Sequence, residues 1–583
     1  MWFKHLSLSV FILMLQGMNL YAQTIWHDPL EEVSLPVQGR GWNTEIGKTY
    51  SRLPLRAKET VREALWSLSQ ASAGLYVKFH TDATNIQVKY KVGGGLSMAH
   101  MPTTGVSGVD LYTTDADGNQ YWCAGRYSFG DTIRFSYENL TYSSPHGRGR
   151  EYCLYLPLYN NVKHMEIGVP AGCRFEFSPT SLEKPIVVYG TSIAQGACAS
   201  RPGMAWSNIL QRDLDTPVIN LGFSGNGLLD EEVIELMSEL DPSLFVIDCM
   251  PNMGGERVRS IKDKVEKAVR LLRGKRKAPI LLVEHAGYMG YKASGQKAKD
   301  FMDTNEQLQA AYRSLKDDIE GLYYMTFNEI GLDMDAQVDG VHTTDLGMRQ
   351  YANAYGSKIR GILYPAATDS LVFKPCRQYR DANTYRWDVR HEEILRYNAE
   401  YHPEIVMIGN SITHYWGGLP FEENRKADDV WQELFKGKRV VNMGFGYDRL
   451  ENIMWRIIHG ELDNFKTEKI FMLMGTNNLQ QNSDMEIVKA VRQIAGLVKN
   501  KQPDAQLYVV NVLPRRGFET RIVQLNRLLD ECLAGDSDIQ ILDLSPLLTN
   551  GNGTLREDLF SDGLHPSHKG YKVIAKELRK YIN

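Results

Sequence analysis

From about residue 24 to 180, apolar and polar positions alternate in short runs. Leu75, Val77 and Phe79 form one series, Ile86, Val88, Tyr90 and Val92 a second, and Met165, Ile167 and Val169 a third. Period-two alternation broken by turn residues predicts half-buried strands, here a β-sandwich. At about 181 the pattern changes. Apolar runs of strand length at 186–189, 218–221, 244–247, 280–283 and 322–325 alternate with helical stretches, which predicts an α/β domain with a mainly parallel sheet. A stretch of mixed charge and aromatics at 366–400 (Tyr379, Tyr385, Trp387) reads as a linker packed on a domain surface. The α/β pattern then restarts, with strands expected at 405–408, 440–443, 470–474, 507–512 and 539–542. Ile487, Val491, Ile494 and Val498 fall on one helical face. The expected architecture is a β-sandwich at 23–180 and two three-layer αβα modules at 181–365 and 401–583.

Length and composition fit this picture. A chain of 583 residues is too long for one core, and 43% hydrophobic with 23% charged residues is ordinary globular composition. Net charge is −4 and no long basic block occurs, which argues against a nucleic-acid partner. Lys4, an apolar stretch at 6–15 and Leu20-Tyr21-Ala22 read as a signal peptide over 1–22, cleaved after Ala22. No cysteine stands directly after the cleavage site, which argues against a lipid anchor, and no later run reaches membrane-spanning length. The mature protein is therefore expected to be periplasmic or secreted. Seven cysteines at wide spacings, with no CxxC pair, argue against a zinc site or a disulfide framework, though one disulfide in the first 180 residues remains open. No cofactor or metal is expected. Asp115-Ala116-Asp117-Gly118-Asn119 reads as a hairpin turn rather than a calcium loop.

One short pattern occurs twice. Residues 186–193 read IVVYGTSI and 405–412 read IVMIGNSI: a buried strand, a glycine, one polar residue, then Ser and Ile. Three further elements follow each copy in the same order. They are Asn220-Leu221-Gly222-Phe223 against Asn442-Met443-Gly444-Phe445, Pro251-Asn252 against Gly475-Thr476-Asn477-Asn478, and Asp339-Gly340-Val341-His342 against Asp562-Gly563-Leu564-His565. The offsets run only from 219 (Ser192 to Ser411) to 225 (Asn252 to Asn477), so the α/β module is duplicated.

The recurring residues carry a chemistry. Ester hydrolysis needs a nucleophile, a base, a group that orients the base, and donors for the oxyanion. Ser192 and Ser411 supply the nucleophile, and His342 and His565 a base suited to neutral pH. Asp339 and Asp562, three residues before each histidine, fold back to accept its second ring N–H. Gly222 and Gly444 are expected to bring a backbone N–H to the oxyanion, with Asn252 and Asn477 adding an amide donor. Singly, each has a structural reading: Ser caps helices, Asp-Gly makes turns, and Asn caps helices. The ordered set, present twice, favours catalysis.

This block pattern resembles the SGNH/GDSL hydrolases, in which the nucleophile comes early and DxxH late. The second copy (GNSI, NMGFG, GTNN, DGLHP) is similar to the platelet-activating-factor acetylhydrolase-like branch, while the first departs with GTSI and CMPN. Gly108-Val109-Asp110-Leu111-Tyr112 matches the GxDLY signature of the β-sandwich found upstream of such esterases. The resemblance implies a serine esterase, and with export it implies removal of O-acetyl groups from carbohydrate. Trp206, Tyr415 and Trp416 are candidates for stacking on sugar rings, though core packing is the commoner use. A lipid esterase with an apolar acyl tunnel is one alternative, and a glycan-binding protein with an inactive module another. Other motif classes fit poorly: Ala194 and Thr413 break GxSxG, HEEIL at 391–395 is not HExxH, and GFSGNG at 222–227 is misordered for a dinucleotide loop.

Overall fold

The computed structural model describes residues 23–140, 149–364 and 372–582, so the expected signal peptide lies outside the described residues. Two antiparallel sheets form the N-terminal sandwich. One orders Thr24–His27, Val162–Pro170, Ile86–Val92, Ile133–Tyr137 and Arg126–Ser128. The other orders Phe175–Phe177, Tyr76–Thr81, Arg150–Tyr155, Asp110–Thr114 and Gln120–Cys123. The alternating series meet between the sheets: Leu75, Val77, Phe79, Ile86, Val88, Tyr90, Met165, Ile167 and Val169 share one buried cluster. Val92 is only partly buried against it. At the 115–119 hairpin, Asp115 Oδ1 accepts the N–H groups of Asp117 (2.9 Å) and Asn119 (2.8 Å), which closes a turn.

Each α/β module carries a five-stranded parallel sheet of the same order. In the first it is Val218–Gly222, Ile186–Gly190, Leu244–Asp248, Ile280–Val283, Leu322–Met325. In the second it is Val440–Gly444, Ile405–Gly409, Lys469–Leu473, Gln506–Val510, Ile539–Leu542. Apolar side chains on both faces of these strands feed two helix-covered cores per module, which explains the continuous apolar runs. The strand order reverses beside Ile186–Gly190 and Ile405–Gly409, the point where open α/β sheets leave a crevice at the strand ends. The helix read from 487–498 spans Asp484–Lys501, with all four predicted positions buried.

The stretch read as a linker is more than a spacer. It contains the helix Trp387–Tyr401, whose Trp387 and Ile394 sit in the second module's core. Arg377 lies at a three-way junction. Its guanidinium makes paired hydrogen bonds to Glu151 of the sandwich (2.8 and 2.8 Å) and to Asp215 of the first module (2.6 and 3.2 Å). Trp455 of the second module donates to the same Asp215 carboxylate at 3.1 Å. The GxDLY signature is also a docking element: Asp110 accepts from Trp122 within the sandwich and from Arg201 and the Gly203 N–H of the first module. All seven cysteines are unpaired, so the disulfide left open in the first 180 residues does not form.

Candidate active site

Each nucleophile follows the last strand residue by two positions and opens a four-residue helix, Ser192–Gln195 or Ser411–His414. The preceding residue does the capping. Thr191 Oγ1 accepts the Ile193 N–H at 3.3 Å, and Asn410 Oδ1 accepts the Ile412 N–H at 3.0 Å. Neither serine is therefore the cap, and each hydroxyl is left for another partner.

That partner is the expected histidine. Ser192 Oγ lies 2.9 Å from His342 Nε2, and Ser411 Oγ lies 2.8 Å from His565 Nε2. His342 Nδ1 is 2.7 Å from Asp339 Oδ2, and His565 Nδ1 is 2.7 Å from Asp562 Oδ2. The other oxygen of each aspartate accepts backbone N–H groups: Val341 and His342 at 3.0 and 2.8 Å, Leu564 and His565 at 2.9 and 2.7 Å. Gly340 (φ +85°) and Gly563 (φ +83°) take the left-handed conformation that this tight turn requires. Partial burial pushes both carboxyls up, but the hydrogen bonds from histidine and backbone outweigh it and hold each at about 2. An ionised carboxylate on Nδ1 fixes the tautomer that leaves Nε2 free to take the serine proton.

Gly222 and Gly444 do not fill the role expected of them. Their N–H groups donate to Asn220 Oδ1 (2.8 Å) and Asn442 Oδ1 (2.9 Å). They must be glycine for a packing reason: a Cβ would lie 2.3 Å from the Gln195 nitrogen in one module and 2.2 Å from the His414 nitrogen in the other. The strand end thus lies directly under the nucleophile helix. Three residues further on, Gly225 (φ +67°) and Tyr447 (φ +59°) both turn left-handed, and among the described residues their N–H groups have no acceptor. Sequence comparison between the copies hid this pair, because one member is Gly and the other Tyr.

Asn252 and Asn477 stand at the end of the central strand in short 3₁₀ turns, Met250–Asn252 and Thr476–Asn478. Asn252 Oδ1 accepts the Gly227 N–H (3.1 Å), which leaves its amide N–H₂ uncommitted. Asn477 Nδ2 donates one hydrogen to Asp448 O (2.9 Å) and keeps a second.

Both sites are braced from outside their sheets by a buried arginine that no sequence motif singles out. Arg52 donates to Asn220 O (3.2 Å) and Gly222 O (2.7 Å). Arg390, on the helix Trp387–Tyr401, donates to Asn442 O (2.9 Å) and Gly444 O (2.8 Å). Of the aromatic candidates, Trp206 and Trp416 are wholly buried core residues. Tyr415 lies beside His565, ring centroids 5.8 Å apart, with its hydroxyl on Asp381 Oδ2 at 2.6 Å.

Sequence models of the GDSL-like lipase/acylhydrolase family match residues 183–360 and 407–573, and the GxDLY model, described as the N-terminus of SGNH-hydrolase-type esterases, matches 24–175. The chain is a duplicated SGNH/GDSL hydrolase. It is an ester hydrolase with a GxDLY sandwich in front of two SGNH modules. Curated relatives include the platelet-activating factor acetylhydrolase IB subunit alpha1 of Bos taurus, 27% identical over 201 residues, covering 34% of this chain and 82% of that protein. The alpha2 subunit of Mus musculus is 28% identical over 202 residues, covering 34% and 83%. Among solved structures, a GDSL-like lipase from Bacteroides ovatus superposes with a TM-score of 0.53 at 29% identity, covering 58% of this chain and 98% of that one. Both serines stand at the carboxyl ends of their sheets, next to the strand-order reversal.

Proposed function

We propose that the protein is an exported serine esterase with two separate catalytic centres that remove small acyl groups, O-acetyl above all, from carbohydrate. One observation carries the two-centre reading: each module holds its own unbroken Ser–His–Asp relay, with matching distances to within 0.1 Å. In each, Nε2 takes the serine proton as Oγ attacks the acyl carbonyl. Oγ–C forms, and the carbonyl π pair moves onto oxygen. Donors for that oxyanion are the serine N–H, the Gly225 or Tyr447 N–H, and the amide of Asn252 or Asn477. Collapse breaks the C–O bond to the alcohol, which leaves with the proton from His. Water then attacks the acyl-enzyme by the same route, releasing the acid and free serine.

A small acyl group fits the acetylhydrolase names of the 27–28% identical relatives. The carbohydrate acceptor rests on the expected signal peptide and on Tyr447, 55% exposed on the left-handed turn beside the second site, where it offers a ring face to a sugar. No helix among the described residues is long and apolar enough to cross a membrane.

The test uses a serine-directed phosphonate and two single substitutions. Two labels per chain are expected, with Ser192→Ala and Ser411→Ala each removing one. Each single variant keeps a measurable share of esterase activity, and the double variant loses several orders of magnitude. Label at Ser411 alone would refute the two-centre reading. On p-nitrophenyl esters the rate is expected to fall steeply beyond butyrate. A rate rising toward long chains would favour a lipid substrate.

A further inference from the structure

We propose that the first catalytic centre is also a binding site for a thiophilic divalent cation of the zinc type, held by His100, Cys198 and His342, and that the ion switches that centre off. One ligand atom from each residue lies within 4.8 Å of the others. Zinc–nitrogen and zinc–sulfur bonds of about 2.0–2.3 Å put tetrahedral ligand atoms roughly 3.5 Å apart, so a contraction of about 1 Å closes the set. His100 can supply that movement. It sits half-buried on the turn between Met98 and Met101, and its ring centroid is 5.5 Å from that of His342.

Other observations support binding beyond proximity. His342 Nδ1 is engaged by Asp339, so Nε2, whose partner is the Ser192 hydroxyl, is the atom that would ligate. A carboxylate behind a ligating imidazole is the usual way such a ligand is oriented and made more basic. Cys198 is buried, with its Sγ 3.2 Å from the His100 carbonyl oxygen. It also holds φ +67°, a backbone conformation unusual for any residue but glycine or asparagine. The same step of the second module carries Gly417 and Gly418. No part of the esterase mechanism uses this thiol.

Binding follows a simple balance. Cys198 coordinates as thiolate and releases its proton to solvent, and His342 Nε2 exchanges its hydrogen bond to Ser192 Oγ for the metal bond. A fourth position stays open to water. With its base occupied, Ser192 cannot be deprotonated. The second module has the same Asp562–His565 pair but no such ligand set among the described residues, so it should be spared.

The inhibition arm rests on the first module being an esterase; the binding arm does not. Zinc titration of the Ser411→Ala chain is expected to lower its activity at least tenfold at micromolar metal, with the Ser192→Ala chain unaffected. Cys198→Ser and His100→Ala, neither part of the esterase machinery, should each raise the half-inhibiting concentration tenfold or more. Cobalt added to the full chain should give a thiolate-to-metal charge-transfer band, absent in Cys198→Ser. If the first module proves inactive, equilibrium dialysis with zinc still decides: loss of one bound ion per chain in both variants supports the site. No cobalt–thiolate band, or zinc stoichiometry unchanged by both substitutions, overturns it.

Discussion

A serine at a helix start is more often a cap than a nucleophile. Here Thr191 and Asn410 take the capping bond, and each serine hydroxyl meets an imidazole instead. The two backbone positions after each Asn divide the work in a similar way. Gly222 and Gly444 give close packing, while the turn three residues later presents the free N–H. Gly222→Ala should thus act mainly on stability, lowering it by about 1–3 kcal/mol through overpacking, as read by chemical denaturation. Asn252→Ala and Asn477→Ala should act on chemistry. Each is expected to cost about 10²–10³ in kcat at its own centre with little change in KM, measured in chains whose other serine is Ala. The relay residues were legible in the sequence because acid–base chemistry restricts them to a few residue types at fixed order. The backbone donors were not, since any residue has an N–H and only φ reveals which one is turned outward.

At the scale of elements, apolar periodicity served well where one face of an element is apolar. The helix Asp484–Lys501 and the module strands were readable for that reason. It failed at Trp387–Tyr401, where the buried side includes Arg390, His391 and Asn398. Buried polar groups look like a solvent face until their partners are known. Arg390→Ala would leave the carbonyls of Asn442 and Gly444 without their donor inside the protein. Unsatisfied buried groups cost about 1–3 kcal/mol each, so a loss of several kcal/mol is expected, seen as a lower denaturation midpoint. Activity at Ser411 should fall with it, because the same carbonyls border the strand end beneath the nucleophile helix. Lysine at 390 should rescue little, since one ammonium cannot reproduce the fork.

Over the whole molecule, long-range ion pairs join the three domains, and sequence gave no hint of them. Beside the Arg377–Asp215 pair lies Glu183. Burial first, and the Asp215 carboxylate second, push its carboxyl up to about 8 from the ordinary 4.5. The sign follows from proton counts. Between pH 4.5 and about 8 the folded chain keeps a proton that the unfolded chain has lost, so stability falls as pH rises through that window and then levels. Glu183→Gln should flatten that slope and leave the chain more stable than the parent near pH 8, checked by denaturation at several pH values.

The two buried arginines also bear on how such a chain is inherited. The α/β module was copied, but the sandwich was not, and Arg52 precedes the first strand pair of the copied unit by a long way in sequence. The second copy meets the same need with Arg390, on the helix Trp387–Tyr401 just ahead of its own first strand. The heritable unit is therefore larger than the sheet and its relay. A lineage that transplants the second module intact must carry the chain from Trp387 onward, and one that transplants the first must bring the segment around Arg52.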